Sequence, residues 1–128
     1  MTVQLSGVVI YAKDLETTVE FYEKNFGFKS LRASDDRIVE LFHETGARIM
    51  VHQAGRAVKQ GQSTVKLVFA VEDVAGFCLQ SAARGLTFGP LHQADGYVYA
   101  NARDPSGNPI SISSRAFRAG SGTPGQVA

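Results

Sequence analysis

The chain carries the same pattern twice. Gly7-Val-Val-Ile-Tyr-Ala-Lys-Asp14-Leu15 and Lys66-Leu-Val-Phe-Ala-Val-Glu-Asp73-Val74 are both apolar runs closed by a charged residue, an aspartate and an aliphatic residue, 59 positions apart. A duplicated unit constrains the fold more than any single motif does, because whatever one copy forms, the other must form as well. At this size neither copy buries a good core alone, so the two are expected to complete one another or to pair with a second chain.

Each apolar run leads into a helical pattern. Leu15, Val19, Tyr22 and Phe26 recur on one face of a helix in the first copy, and Val74, Phe77, Cys78, Ser81 and Ala82 do so in the second. Asp14 and Asp73 stand at the N-cap position, where a carboxylate accepts the unpaired amides of the first turn. Gly27 and Gly85 stand where a left-handed residue ends a helix. Three strand-like stretches follow each helix: residues 29–33, 37–43 and 47–53 in the first copy, and 88–93, 97–102 and 109–114 in the second. Glu44-Thr-Gly46, Asp95-Gly96 and Asp104-Pro-Ser-Gly-Asn108 supply turns. The order strand, helix, three strands, written twice, predicts an α+β protein of two βαβββ modules. Module one covers about residues 4–54 and module two about 64–116, joined by a polar linker at 55–63, within a single domain of residues 1–118 and a flexible tail at 119–128.

Strand alternation sorts the side chains by face. Val65, Leu67, Phe69 and Val71, with Ile49, Val51, Ile110 and Ile112, are expected to face the helices. Tyr11, Arg48, Met50, His52, Lys66, Val68, Ser111 and Ser113 then face the other way. Tyr97, Tyr99 and Asn101 alternate on one strand, where they either line that face with stacking and hydrogen-bonding groups or cover the surface beside a dimer contact. Lys66 has two readings: a lysine whose stem is buried and whose ammonium reaches water, or a cation that receives a carboxylate or phenolate. His52 is a hydrogen-bonded structural residue or an acid/base group. Cys78, on the apolar helix face, is expected to be a buried, inert thiol, and as the chain's one cysteine it excludes an internal disulfide.

Val9-Ile-Tyr-Ala-Lys-Asp-Leu-Glu-Thr-Thr-Val-Glu-Phe-Tyr-Glu-Lys-Asn-Phe-Gly-Phe28, together with the later Asp104-Pro-Ser-Gly-Asn108 turn, resembles the vicinal oxygen chelate superfamily, which includes glyoxalase I, bleomycin-resistance proteins and extradiol dioxygenases. The resemblance runs from about Gln4 to Arg115 and implies a cup-shaped mixed β-sheet built from the two modules. It also implies a divalent metal held by four side chains, usually His, Glu or Gln, one near the start of each module's first strand and one on each module's last strand. Here those positions are Gly7, Met50, Lys66 and Ser111, and none is an ordinary ligand for such an ion. A displaced site made by His52 and His92 with Glu40 is the alternative, though their spacing does not demand it.

The expectation is therefore a member of this family that binds a small organic molecule without a metal or other cofactor, through Lys66, His52, Tyr11, Met50, Arg48, Ser111, Ser113, Tyr99 and Asn101. The rival is a metal-dependent or Lys/His-dependent lyase, isomerase or dioxygenase. A homodimer is implied as well. Thirteen Lys+Arg against twelve Asp+Glu leave a net charge of +1, so no general field attracts nucleic acid or an anionic membrane. No apolar run is long enough to span a bilayer, and the first residues show no secretory pattern; the single cysteine, Cys78, points to a reducing cytoplasm.

Overall fold

A computed structural model describes residues 1–32 and 37–119. It has two compact units: residues 1–63 with 104–108, and residues 64–103 with those from 109 onward. The first unit runs β1 (Gly7–Ala12), α1 (Leu15–Phe26), β2 (Lys29–Arg32), β3 (Ile38–Phe42) and β4 (Arg48–Gln53). The second runs β5 (Leu67–Ala70), α2 (Val74–Ala83), β6 (His92–Ala94), β7 (Tyr97–Arg103) and β8 (Pro109–Ser113), then a 3-10 turn over Arg115–Phe117. Both four-stranded sheets have one topology. The first strand lies parallel to the last at one edge, and the two others extend the sheet antiparallel, giving β1-β4-β3-β2 and β5-β8-β7-β6.

The helix caps are built as the repeat predicts. Asp14 accepts the amide of Thr17 at 3.1 Å, and Asp73 accepts that of Gly76 at 3.0 Å. Gly27 takes φ 70° and donates to the Glu23 carbonyl. Gly85 takes φ 91°, its amide reaching Ala82 and that of Leu86 reaching Ser81, a paired closure that satisfies two end carbonyls.

In the first unit, α1 seats Val19 and Tyr22 against Ile10, Ala12, Val39, Leu41, Ile49 and Val51, all buried. The opposite face of the sheet carries Gly7, Val9 and Tyr11 on β1 and Arg48, Met50 and His52 on β4. In the second unit Val74, Leu86, Phe88, Ala100, Ile110 and Ile112 are buried. Four expectations need correction here. The stretch at 88–93 is not a strand until His92, because Pro90 has no amide to give a ladder and only Gly89 reaches across, to the Asn101 carbonyl. Val65 precedes β5 and is exposed rather than turned to the helix. Cys78 is half-buried, not buried, and Ala82 is exposed. The expected tail falls, from residue 120 on, outside the described residues, as does Ala33.

The Asp104–Asn108 turn belongs to the first unit although its flanking strands belong to the second. Buried Asp104 accepts four hydrogen bonds: the Tyr22 hydroxyl at 2.7 Å, the amides of Ser106 and Asn108 at 2.9 Å each, and the Asn108 side-chain nitrogen at 2.9 Å. The Thr18 and Ser106 hydroxyls meet at 2.8 Å, and the Asn108 side chain also reaches the Tyr11 carbonyl. Burial, and then the carboxylate beside it, push the Tyr22 phenol well above its ordinary value, so it serves as a neutral donor. Gly107 takes φ 83°, and a Cβ there would come within 3.0 Å of the Gly61 backbone, so this turn requires glycine.

Candidate functional site

The open face of the first sheet is read from its register. Met50 stands opposite Val9 on one side and Glu40 on the other, and His52 stands opposite Tyr11 and Ile38. The Tyr11 and His52 rings lie 5.4 Å apart and tilted. His52 Nδ1 is 2.7 Å from the Gln53 carbonyl oxygen, which can only accept. Nδ1 therefore carries the proton, and in the neutral ring Nε2 holds the lone pair. Arg48 pairs with Glu40 and rests 5.3 Å from the Phe42 ring centroid. Its charge is thus neutralised within the sheet. That partner was within reach of the sequence, since a β3–β4 hairpin through Gly46 puts residues 40 and 48 on one face as diagonal neighbours. His43 is tied up elsewhere: it stacks on Phe28 at 3.9 Å and bonds to the Phe26 carbonyl.

The open face of the second sheet is aromatic and cationic. Lys66, just ahead of β5, donates to Asn101 Oδ1 at 3.0 Å and sits 5.7 Å from the Tyr99 centroid. Tyr99 stacks on His92 at 5.0 Å and lies 6.2 Å from Tyr97, two residues along the same strand. Arg115 and Arg118 approach the Tyr97 ring at 5.5 and 5.4 Å, and Arg115 also donates to its hydroxyl. Val68, opposite Ser111 in the register, is 62% exposed. Ser111 donates to the Ala100 carbonyl, and Ser113 accepts the Arg115 amide, so both hydroxyls are engaged with nearby backbone. Lys66, Tyr99 and Asn101 are expected on a ligand-binding face from the sequence; His92, Arg115 and Arg118 join them here without such a signal. His92 pairs opposite Tyr99 through the short β6 strand. The two arginines reach Tyr97 from a turn that no strand pattern indicates.

The four positions at which the family resemblance implies a metal do not fit one. Gly7 has no side chain, and a Cβ built there would lie 2.7 Å from the Arg48 carbonyl oxygen and 3.1 Å from Met50 Cε, so any side chain at this position would require the neighbouring backbone to shift. Met50 offers a thioether, which suits soft rather than hard ions. Lys66 presents an ammonium, and the Ser111 hydroxyl is turned to a carbonyl. Glu40 and His52 belong to the first sheet and His92 to the second. Among the described residues no three His, Cys, Asp or Glu side chains gather into a group able to hold a metal ion. Burial pushes the Cys78 thiol up from its ordinary value, which disfavours the thiolate. No helix among the described residues is long and apolar enough to cross a membrane.

Known proteins match this architecture closely. UcmS2 is 21% identical, with a TM-score of 0.75 over 89% of this chain and 99% of that one. TnmS3, an antibiotic binding protein from Streptomyces sp. CB03234, is 19% identical, with a TM-score of 0.72 over 88% of this chain and 96% of that one. A variant of the fosfomycin resistance protein FosX from Listeria monocytogenes, complexed with Mn(II) and a dihydroxypropylphosphonic acid, is 16% identical, with a TM-score of 0.66 over 89% of this chain and 91% of that one. At these identities the likeness is one of fold. No curated protein sequence matches the chain. The model of the glyoxalase/bleomycin resistance protein/dioxygenase superfamily matches residues 4–112, nearly the whole paired-module region, and the chain belongs to that superfamily.

Proposed function

We propose that this chain binds a small organic molecule on the open faces of its sheets, and does so without a divalent ion at residues 7, 50, 66 and 111. The observation that carries this reading is the crowding at Gly7, where the Arg48 carbonyl oxygen occupies the space a ligand side chain would need. Backbone yields there at greater cost than a flexible side chain would. The other three groups are poor partners for a hard cation. Within the first sheet Val9 and Met50 give apolar surface and Tyr11 and His52 give groups that fix orientation, and within the second Val68 and then Lys66 and Asn101 do the same. The antibiotic binding named for TnmS3 is the kind of role this reading assigns.

A second reading is acid–base catalysis by His52. What favours it is the Nδ1 bond to Gln53, which sets the tautomer and leaves Nε2 as the basic atom. Native mass spectrometry of protein purified without added metal separates the readings and also reports whether the chain forms the homodimer expected from its sequence. Metal-free protein that retains or takes up organic ligands supports binding. One equivalent of Fe, Mn, Ni or Zn, lost together with ligand binding, overturns it. Turnover abolished by His52→Gln in metal-free protein would favour catalysis.

A further inference from the structure

Among the described residues, Lys66, Arg115 and Arg118 form no ion pair, whereas Arg32 and Arg48 of the first unit each meet a glutamate. Lys66 is held instead by a neutral amide and the face of a ring. A neutral acceptor fixes the ammonium in place without cancelling its charge, and two of its three N–H donors remain to be used. Beside it Val68 is 62% exposed on the same face, and the Tyr97–Tyr99 row continues away from the lysine. Successive same-face residues on a strand are about 7 Å apart, roughly the width of one aromatic ring. A fixed unneutralised cation, an exposed aliphatic floor and a row of aromatic rings thus follow one another within a single sheet.

We propose that this face takes a planar aromatic anion, with its carboxylate or phenolate on Lys66 and its ring system against Val68 and the Tyr99–Tyr97 row. Arg115 and Arg118 add positive potential at the far end, where a second anionic group would be favoured. The inference rests on the proposed role in binding organic molecules and narrows it to a ligand class. Charge complementarity is what selects the occupant: a neutral ligand leaves three cations unanswered, and a cationic one is repelled.

The test is calorimetric titration of the full chain with 2-naphthoate and with 2-naphthamide, which share a ring system and differ in charge. The carboxylate is expected to bind about tenfold tighter or more, the usual gain from a charge-assisted hydrogen bond. That preference should vanish in Lys66→Met and return in Lys66→Arg. Lys66 is exposed, so its replacement leaves the core intact, and coincident melting curves verify that. Equal affinity for the two compounds, or a preference that survives Lys66→Met, overturns the assignment while leaving organic-ligand binding in place. Failure of both compounds to bind also overturns it. In that case thermal shifts across a library of neutral and cationic organic molecules decide whether the broader binding role falls too.

Discussion

The two sheets share a topology and differ in how they treat charge. In the first, Arg48 meets Glu40 on the open face, and Arg32 meets Glu16 from α1. In the second, Lys66, Arg115 and Arg118 lie against amide oxygen and tyrosine rings. Duplication supplies two copies of one scaffold, but side-chain partners are free to diverge because open-face residues do not hold the core. On the first face the Arg48 charge is answered within the sheet, although the register also puts exposed Lys29 there. The second keeps positive charge available to something outside the chain. A similar asymmetry marks the core: α1 buries Val19 and Tyr22 completely, whereas α2 fully buries Val74 and Ser81 and leaves Phe77 and Cys78 half-covered. The first unit also gains the Asp104–Asn108 turn, whose buried polar network has no counterpart described in the second.

The largest effect is expected where the first unit draws on that turn. Asp104→Ala leaves the Tyr22 hydroxyl, two backbone amides and the Asn108 side chain without their common acceptor, and should lower stability by about 3 kcal/mol or more in urea denaturation. A loss within about 0.5 kcal/mol would mean that the network is not what seats the turn. The charge contrast is tested next by Asn101→Asp, which places a carboxylate 3.0 Å from Lys66, as Glu40 already serves Arg48. Affinity for 2-naphthoate should fall about tenfold, with 2-naphthamide unaffected, as read by calorimetry. The reciprocal change, Glu40→Gln, frees Arg48 in an exposed pair and should alter stability by less than about 1 kcal/mol. A cost well above that would show the first sheet to depend on its ion pair. The smallest effect concerns Cys78. Its raised thiol value means less thiolate at a given pH, so iodoacetamide should react more slowly than with an unhindered thiol at pH 8 and should speed up as pH rises further.

The elements were largely legible in the sequence because the repeat states them twice. A helix cap at Asp14 is more credible when Asp73 offers the same cap, and the strand faces follow from alternation once the helices are fixed. Where the sequence misleads, the reason is local and physical: Gly89-Pro90 reads as part of an apolar strand, yet proline cannot donate to the ladder. Long-range partners were out of reach. Nothing near Asp104 indicates that its acceptor is aimed at Tyr22, 82 residues earlier. The metal question was half legible. Four unsuitable residue types could be read off the chain, but the crowding at Gly7 is a backbone property visible in the fold alone. The cations at 115 and 118 escaped notice because a turn, not a strand, delivers them.

The contrast between the sheets is tested most directly by mapping amide chemical-shift changes in the 15N-labelled chain during titration with 2-naphthoate. The account predicts perturbations that include Lys66, Val68, Tyr99 and Asn101, follow a single saturation curve, and disappear in Lys66→Met. A map confined to Val9, Tyr11, Met50 and His52, with β5 and β7 unmoved, would contradict it.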